Sequence, residues 1–161
     1  MSGKTRNTPT FAGVPPSNVM QLGDKNRLSV PADVMHAVDW SRKKSMTVVA
    51  ELLDEGHIRL YRWDDIAPAI EAQAKQITED FDGDERHERA AALGDRYRPL
   101  TMEKSGRLIL IEAVLLHLEV TLGEHPYFLV RAFGNNVEIL AYRLRKEINR
   151  RYRSDTTPEL D

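Results

Sequence analysis

Apolar and polar positions alternate behind a tight turn at two places in the chain. In Arg27-Leu28-Ser29-Val30, Leu28 and Val30 face one side of a strand while Arg27 and Ser29 face the other. The stretch Arg107-Leu108-Ile109-Leu110-Ile111 repeats that pattern. Each is preceded by residues suited to a turn, Gly23 to Asn26 and Glu103 to Gly106. A helix with an apolar stripe is predicted after each strand. The first covers Ala32 to Val38, with Val34, Met35 and Val38 buried, and the second covers Glu112 to Leu122. Pro31 suits the first helical turn.

Hairpins come next. Met46 to Leu53 reads as a strand, Asp54-Glu55-Gly56 as its turn, and Ile58 and Leu60 as the return. The second half offers Tyr127 to Ala132, the turn Gly134-Asn135-Asn136, and Val137 to Leu140. Short strands are predicted at Asn18 to Leu22 and at Tyr97 to Met102, the latter interrupted by Pro99. A helix capped by Asp64 or Asp65 runs to about Thr78, with Pro68 in its first turn and Ile66, Ile70, Ala74 and Ile77 on one face. A last helix, Tyr142 to Tyr152, is rich in arginine.

The halves align residue by residue. At an offset of 80, Arg27 matches Arg107, Leu28 matches Leu108, Val30 matches Leu110, Val34 matches Val114 and Val38 matches Leu118. After a one-residue deletion, Ile58 matches Val137, Leu60 matches Ile139 and Trp63 matches Tyr142. The fold class expected is therefore α+β, as tandem β-α-β-β repeats. The organisation read is an N-terminal arm over 1–17, a first repeat over 18–78, an acidic stretch over 79–95 taken as a linker or exposed helix edge, a second repeat over 96–153 and a tail over 154–161. Neither repeat is large enough to cover its own sheet well.

Composition narrows the function classes. The chain has 161 residues, 41% of them hydrophobic and 30% charged, which is an ordinary globular balance. No stretch reaches the roughly 20 apolar residues that span a bilayer, and the start of the chain lacks the apolar run of a secretory signal. Cysteine is absent, so disulfides and thiolate metal sites are excluded, which fits the cytoplasm. The net charge of -2 does not announce a nucleic-acid binder. Its distribution says more: residues 1–62 are net basic, 63–98 strongly acidic and 99–161 balanced.

A turn of the form Asp-x-x-Gly-Arg, followed by a strand, a Pro and a short helix, resembles the swapped-hairpin barrel of the AbrB class. Two such units, each with a hairpin and a helix, make residues Asn18 to Arg153 similar to the MraZ family of bacterial transcription regulators. The resemblance implies a swapped-hairpin β-barrel with flanking helices. It also implies a cytoplasmic, nucleoid-associated protein that binds double-stranded DNA through the turn and strand and assembles with itself, in rings. The chain departs from the pattern in each copy. Gly23 and Asn26 stand where the first motif has Asp and Gly, and Ile111 stands where the second has Pro.

Lys25, Asn26, Arg27, Lys104, Ser105 and Arg107 are the candidate DNA-binding residues. Arginine can fork onto guanine, and several cations on phosphates give salt-sensitive binding. The bland alternative is that Arg27 and Arg107 pair with Asp24 and Glu103 and merely hold the turns. A basic crowd at Arg143, Arg145, Lys146, Arg150, Arg151 and Arg153 reads as a solvated helix end or a subunit contact. His36, His57, His87, His117 and His125 have no metal-like spacing. Phosphate loops, nucleophile elbows and zinc helices are missing, so neither an enzyme nor a cofactor is expected. Two other readings stay open: an oligomeric interaction module on the same fold without DNA binding, and an antitoxin-like partner.

Overall fold

A computed structural model describes residues 18–121 and 123–141. The predicted helix Tyr142 to Tyr152 and its arginines lie outside the described residues, as do the arm and the tail.

Among the described residues, eight antiparallel strands form one nearly closed, barrel-like sheet, and four α-helices accompany them. The strands are β1 (Val19–Gln21), β2 (Arg27–Ser29), β3 (Met46–Leu52), β4 (His57–Arg62), β5 (Tyr97–Glu103), β6 (Arg107–Ile109), β7 (Tyr127–Phe133) and β8 (Asn136–Ala141). The helices are α1 (Ala32–Ala37), α2 (Trp63–Asp80), α3 (Gly83–Arg96) and α4 (Glu112–His117). The sheet order is β1-β7-β8-β4-β3-β5-β6-β2. The first strand of each half thus pairs with the third strand of the other, β1 with β7 and β5 with β3.

Residues matched by the sequence offset meet each other across the sheet. Leu28 stands opposite Leu108 where β2 pairs with β6. Arg59 stands opposite Glu138 where β4 pairs with β8, and these two share the offset of 79. The backbone repeats too: positive φ occurs at Lys25 and Ser105, at Asn26 and Gly106, and at Asp39 and Glu119. Val30 N–H donates to the Gly106 carbonyl and Leu110 N–H to the Asn26 carbonyl, both at 2.9 Å.

Period-two alternation places Leu28, Val48, Ala50, Ile58, Leu60, Leu108, Phe128, Val130, Val137 and Ile139 inside the barrel. Val34, Met35 and Val38 add the α1 stripe, and Trp40 is buried beside them. On the other face of the sheet, two carboxylates are almost wholly buried, Glu51 at 5% exposure and Glu138 at 1%. Cross-strand register lines up Glu51, Arg59, Glu138 and Arg131 on β3, β4, β8 and β7. Arg59 donates to Glu138 Oε2 at 2.8 Å, Arg131 donates to Oε1 at 2.9 Å, and His57 Nε2 lies 3.2 Å from Oε2. Glu51 accepts from the Tyr61 hydroxyl at 2.7 Å and from the Arg96 guanidinium. Burial pushes both carboxyls up, but these hydrogen bonds outweigh it and hold them below the ordinary carboxylate range.

Several local expectations are corrected. Of the two readings of 79–95, linker or exposed helix edge, the helical one describes it: α2 runs on to Asp80 and α3 starts at Gly83. The α3 helix buries no side chain, so it has no apolar stripe to betray it. The α2 helix begins at Trp63, which moves Pro68 to the second turn, and no side chain caps it. Asp65 instead accepts from Arg62 at 2.9 Å, and Ala74 is exposed. The α4 helix ends at His117 rather than Leu122, because Glu119 turns left-handed at φ 61° just as Asp39 does after α1. Strand β5 continues through Pro99, which faces Val49 and lies before the β6 ladder begins at Thr101.

Candidate nucleic-acid interface

Both predicted turns are single 3-10 turns, Asp24–Asn26 and Lys104–Gly106. Each contains two consecutive left-handed residues, which reverses the chain within three positions. Only Gly106 among these is buried: a Cβ there would sit 3.2 Å from the Val30 carbonyl oxygen. That close approach accounts for glycine at the second turn. Its counterpart Asn26 is exposed and reaches its left-handed φ of 59° with a side chain.

Beyond the turns, β2 and β6 pair in a short ribbon at the end of the sheet, with β2 at its edge and β6 bonded also to β5. Arg27 and Ser29 on β2 and Arg107 on β6 face away from the core. Lys25, Arg27 and Arg107 line one open groove of about 520 Å³, together with Gln21, Ser29, Asp24 and Glu103. The geometry therefore collects three of the six candidate residues. Lys104, Ser105 and Asn26 are exposed but do not line that groove. Ser105 N–H donates to the Arg42 carbonyl at 3.0 Å, which sets the second turn against the exposed loop Arg42-Lys43-Lys44. Those three cations extend the candidate surface. The charge run was visible in the sequence, but its contact with a turn more than 60 residues away was not.

The arginines differ. Arg27 Nε donates to Glu103 Oε1 at 2.7 Å and its Nη2 to Oε2 at 3.2 Å. The hydrogen bond with Glu103 raises Arg27 above its ordinary value and holds Glu103 below the usual carboxylate range. The ion pair expected for Arg27 forms, with Glu103 rather than Asp24 as its partner. Arg107 is exposed and forms no ion pair among the described residues, because the residue matching Glu103 in the first half is Gly23. It faces Glu103 across the β5–β6 ladder and lowers that carboxyl through space.

The acidic helix pair lies away from the groove of Lys25, Arg27 and Arg107, although Asp64 at the start of α2 lines a second groove with Lys44. Helices α2 and α3 pack on β3, β4 and β5, and α3 joins β5 at Tyr97. The turn follows the other end of that seven-residue strand, roughly 20 Å away at about 3.3 Å per residue.

Among the described residues, no three acidic or histidine side chains gather as metal ligands, and no helix is long and apolar enough to cross a membrane. Two histidines make ordinary contacts within the fold: His117 Nε2 donates to the Asp54 carbonyl, and His125 Nδ1 to that of Leu22. Set against known proteins, the chain matches no family model, and no curated protein matches it significantly.

Proposed function

We propose that this chain is a sequence-specific, DNA-binding transcription regulator of the MraZ/AbrB type, built as a tandem swapped-hairpin barrel. The exchange of first strands between halves, β1 onto β7 and β5 onto β3, supports the architecture. The observation that carries the function is the shared groove of Lys25, Arg27 and Arg107 on the β2–β6 ribbon. Strands at a sheet edge can enter a DNA groove, and in the major groove an arginine can fork onto a guanine. Lys104 and the Arg42-Lys43-Lys44 loop then hold phosphates, which position the protein without reading sequence. The acidic helix α3 joins the far end of β5 from the second turn, whereas Asp64 of α2 shares a groove with Lys44, so the groove of Lys25, Arg27 and Arg107 is the part of the surface offered to a polyanion. The protein acts in the cytoplasm on the nucleoid, and self-assembly repeats the ribbons along an operator with repeated sites.

Selection from a random duplex pool tests this. Enrichment of one short repeated motif is expected, and a pool that stays random after several rounds would contradict it.

One observation favours a second reading, an assembly module on the same barrel without DNA binding. The Glu103 carboxylate occupies Arg27 in the middle of the groove. On that reading, duplex DNA of any sequence fails to bind at low salt.

A further inference from the structure

The row Glu51–Arg59–Glu138–Arg131 alternates in sign across four strands. Exchanging the two halves maps Arg59 onto Glu138 and Glu51 onto Arg131, so the exchange inverts every charge. We infer that this antisymmetric row is a recognition code between the halves: residues 18–80 fit residues 97–141, and neither fits a second copy of itself.

The argument is electrostatic. Were the first half to pair with its own copy in the same register, Arg59 would stand opposite Arg59. Were the second half to do so, Glu138 would stand opposite Glu138. Like charges facing across a ladder are destabilising, and Glu138 is only 1% exposed, so water would not screen them. The native pairing satisfies Glu138 from both sides, by Arg59 of the other half and Arg131 of its own. Arg59 is also held in place by the Phe133 ring, 4.2 Å from its guanidinium carbon. The other meeting point, Leu28 against Leu108, is apolar on both sides and tolerates any combination. Exchange between two copies of the chain is therefore restricted to unlike halves.

The test uses two full-length variants. In Arg59→Glu the centre of the row becomes two carboxylates, and in Glu138→Arg it becomes two guanidiniums. Each alone is expected to melt about 10 °C or more below the native chain. Refolded together from denaturant in equal amounts, they can exchange halves. The first half of the Glu138→Arg chain and the second half of the Arg59→Glu chain then rebuild a native row. A transition close to the native melting temperature, absent from either variant alone, is the expected result. A mixture that melts as the sum of its components would overturn the inference. Single variants that melt within about 2 °C of the native chain would do so as well. A variant that does not fold alone still reports through the mixture.

Discussion

The Arg27 guanidinium is forked onto Glu103, Nε to Oε1 at 2.7 Å and Nη2 to Oε2 at 3.2 Å, and so ties the first turn to the strand that leads into the second. The partners lie 76 residues apart in the chain. The same contact withdraws one of the three groove cations from any phosphate. Arg107 has no such partner among the described residues and is exposed in the same groove.

Replacing the acid should release the arginine. In Glu103→Gln the groove gains a free guanidinium and loses a negative charge. Tighter binding of non-specific duplex DNA is expected, with a salt dependence steeper by about one unit of log K against log salt. Fluorescence anisotropy at several salt concentrations reads both, and weaker binding than native would contradict the role given to Glu103.

Stability should fall in acid through the buried carboxylates. Glu51 and Glu138 titrate below the ordinary range in the folded chain, because hydrogen bonds from Tyr61 and Arg96, and from Arg59 and Arg131, outweigh burial. The unfolded chain therefore binds protons first as pH falls. The stabilisation is present in full above the unfolded glutamate value of about 4.3 and is lost as pH drops through the lower folded values. Urea unfolding between pH 7 and pH 3 should show a flat region and then a decline. Glu138→Gln should be less stable than the native chain at pH 7 and decline less steeply in acid.

Two glycines should respond in opposite directions to alanine. Gly106 has φ +83°, and an added Cβ would lie 3.2 Å from the Val30 carbonyl oxygen, so Gly106→Ala should destabilise. Gly94 sits inside α3 with nothing within 4 Å of a new Cβ, so Gly94→Ala should stabilise by up to about 1 kcal/mol. Thermal melts of the two variants check the signs.

At the meeting point of the halves, Leu28 and Leu108 are both fully buried. Leu28→Ala or Leu108→Ala should each cost about 2–5 kcal/mol. Because the two side chains share one site, the double variant should cost less than the sum of the singles. Additive losses in chemical denaturation would argue against their contact.

The periodic features of the fold were legible in the sequence. Alternation placed β2, β4, β6 and β8, and turn residues located both reversals, because those signals are local. The pairing of β1 with β7 and of β5 with β3 was not legible in local pattern, since nothing near Val19 or Tyr97 names a partner more than 40 residues away, and only the family resemblance implied an exchange. Glu138 looked like any exposed glutamate. Its burial depends on Arg59 and Arg131 arriving from other strands. The α3 helix was read only in part, as an exposed helix edge with a short helix over Arg89 to Gly94, because an exposed helix carries no stripe to mark its full length. Of the candidate site, the cations were evident. Their sorting into a paired Arg27 and an unpaired Arg107 was hidden, because it turns on Glu103 having Gly23 as its counterpart.

The most direct test of DNA contact through the groove is the salt dependence of duplex binding for the native chain and for Lys25→Ala/Arg107→Ala. The double variant should bind more weakly and lose about two units of slope in log K against log salt. A slope equal to that of the native chain would contradict the assignment of this groove to DNA.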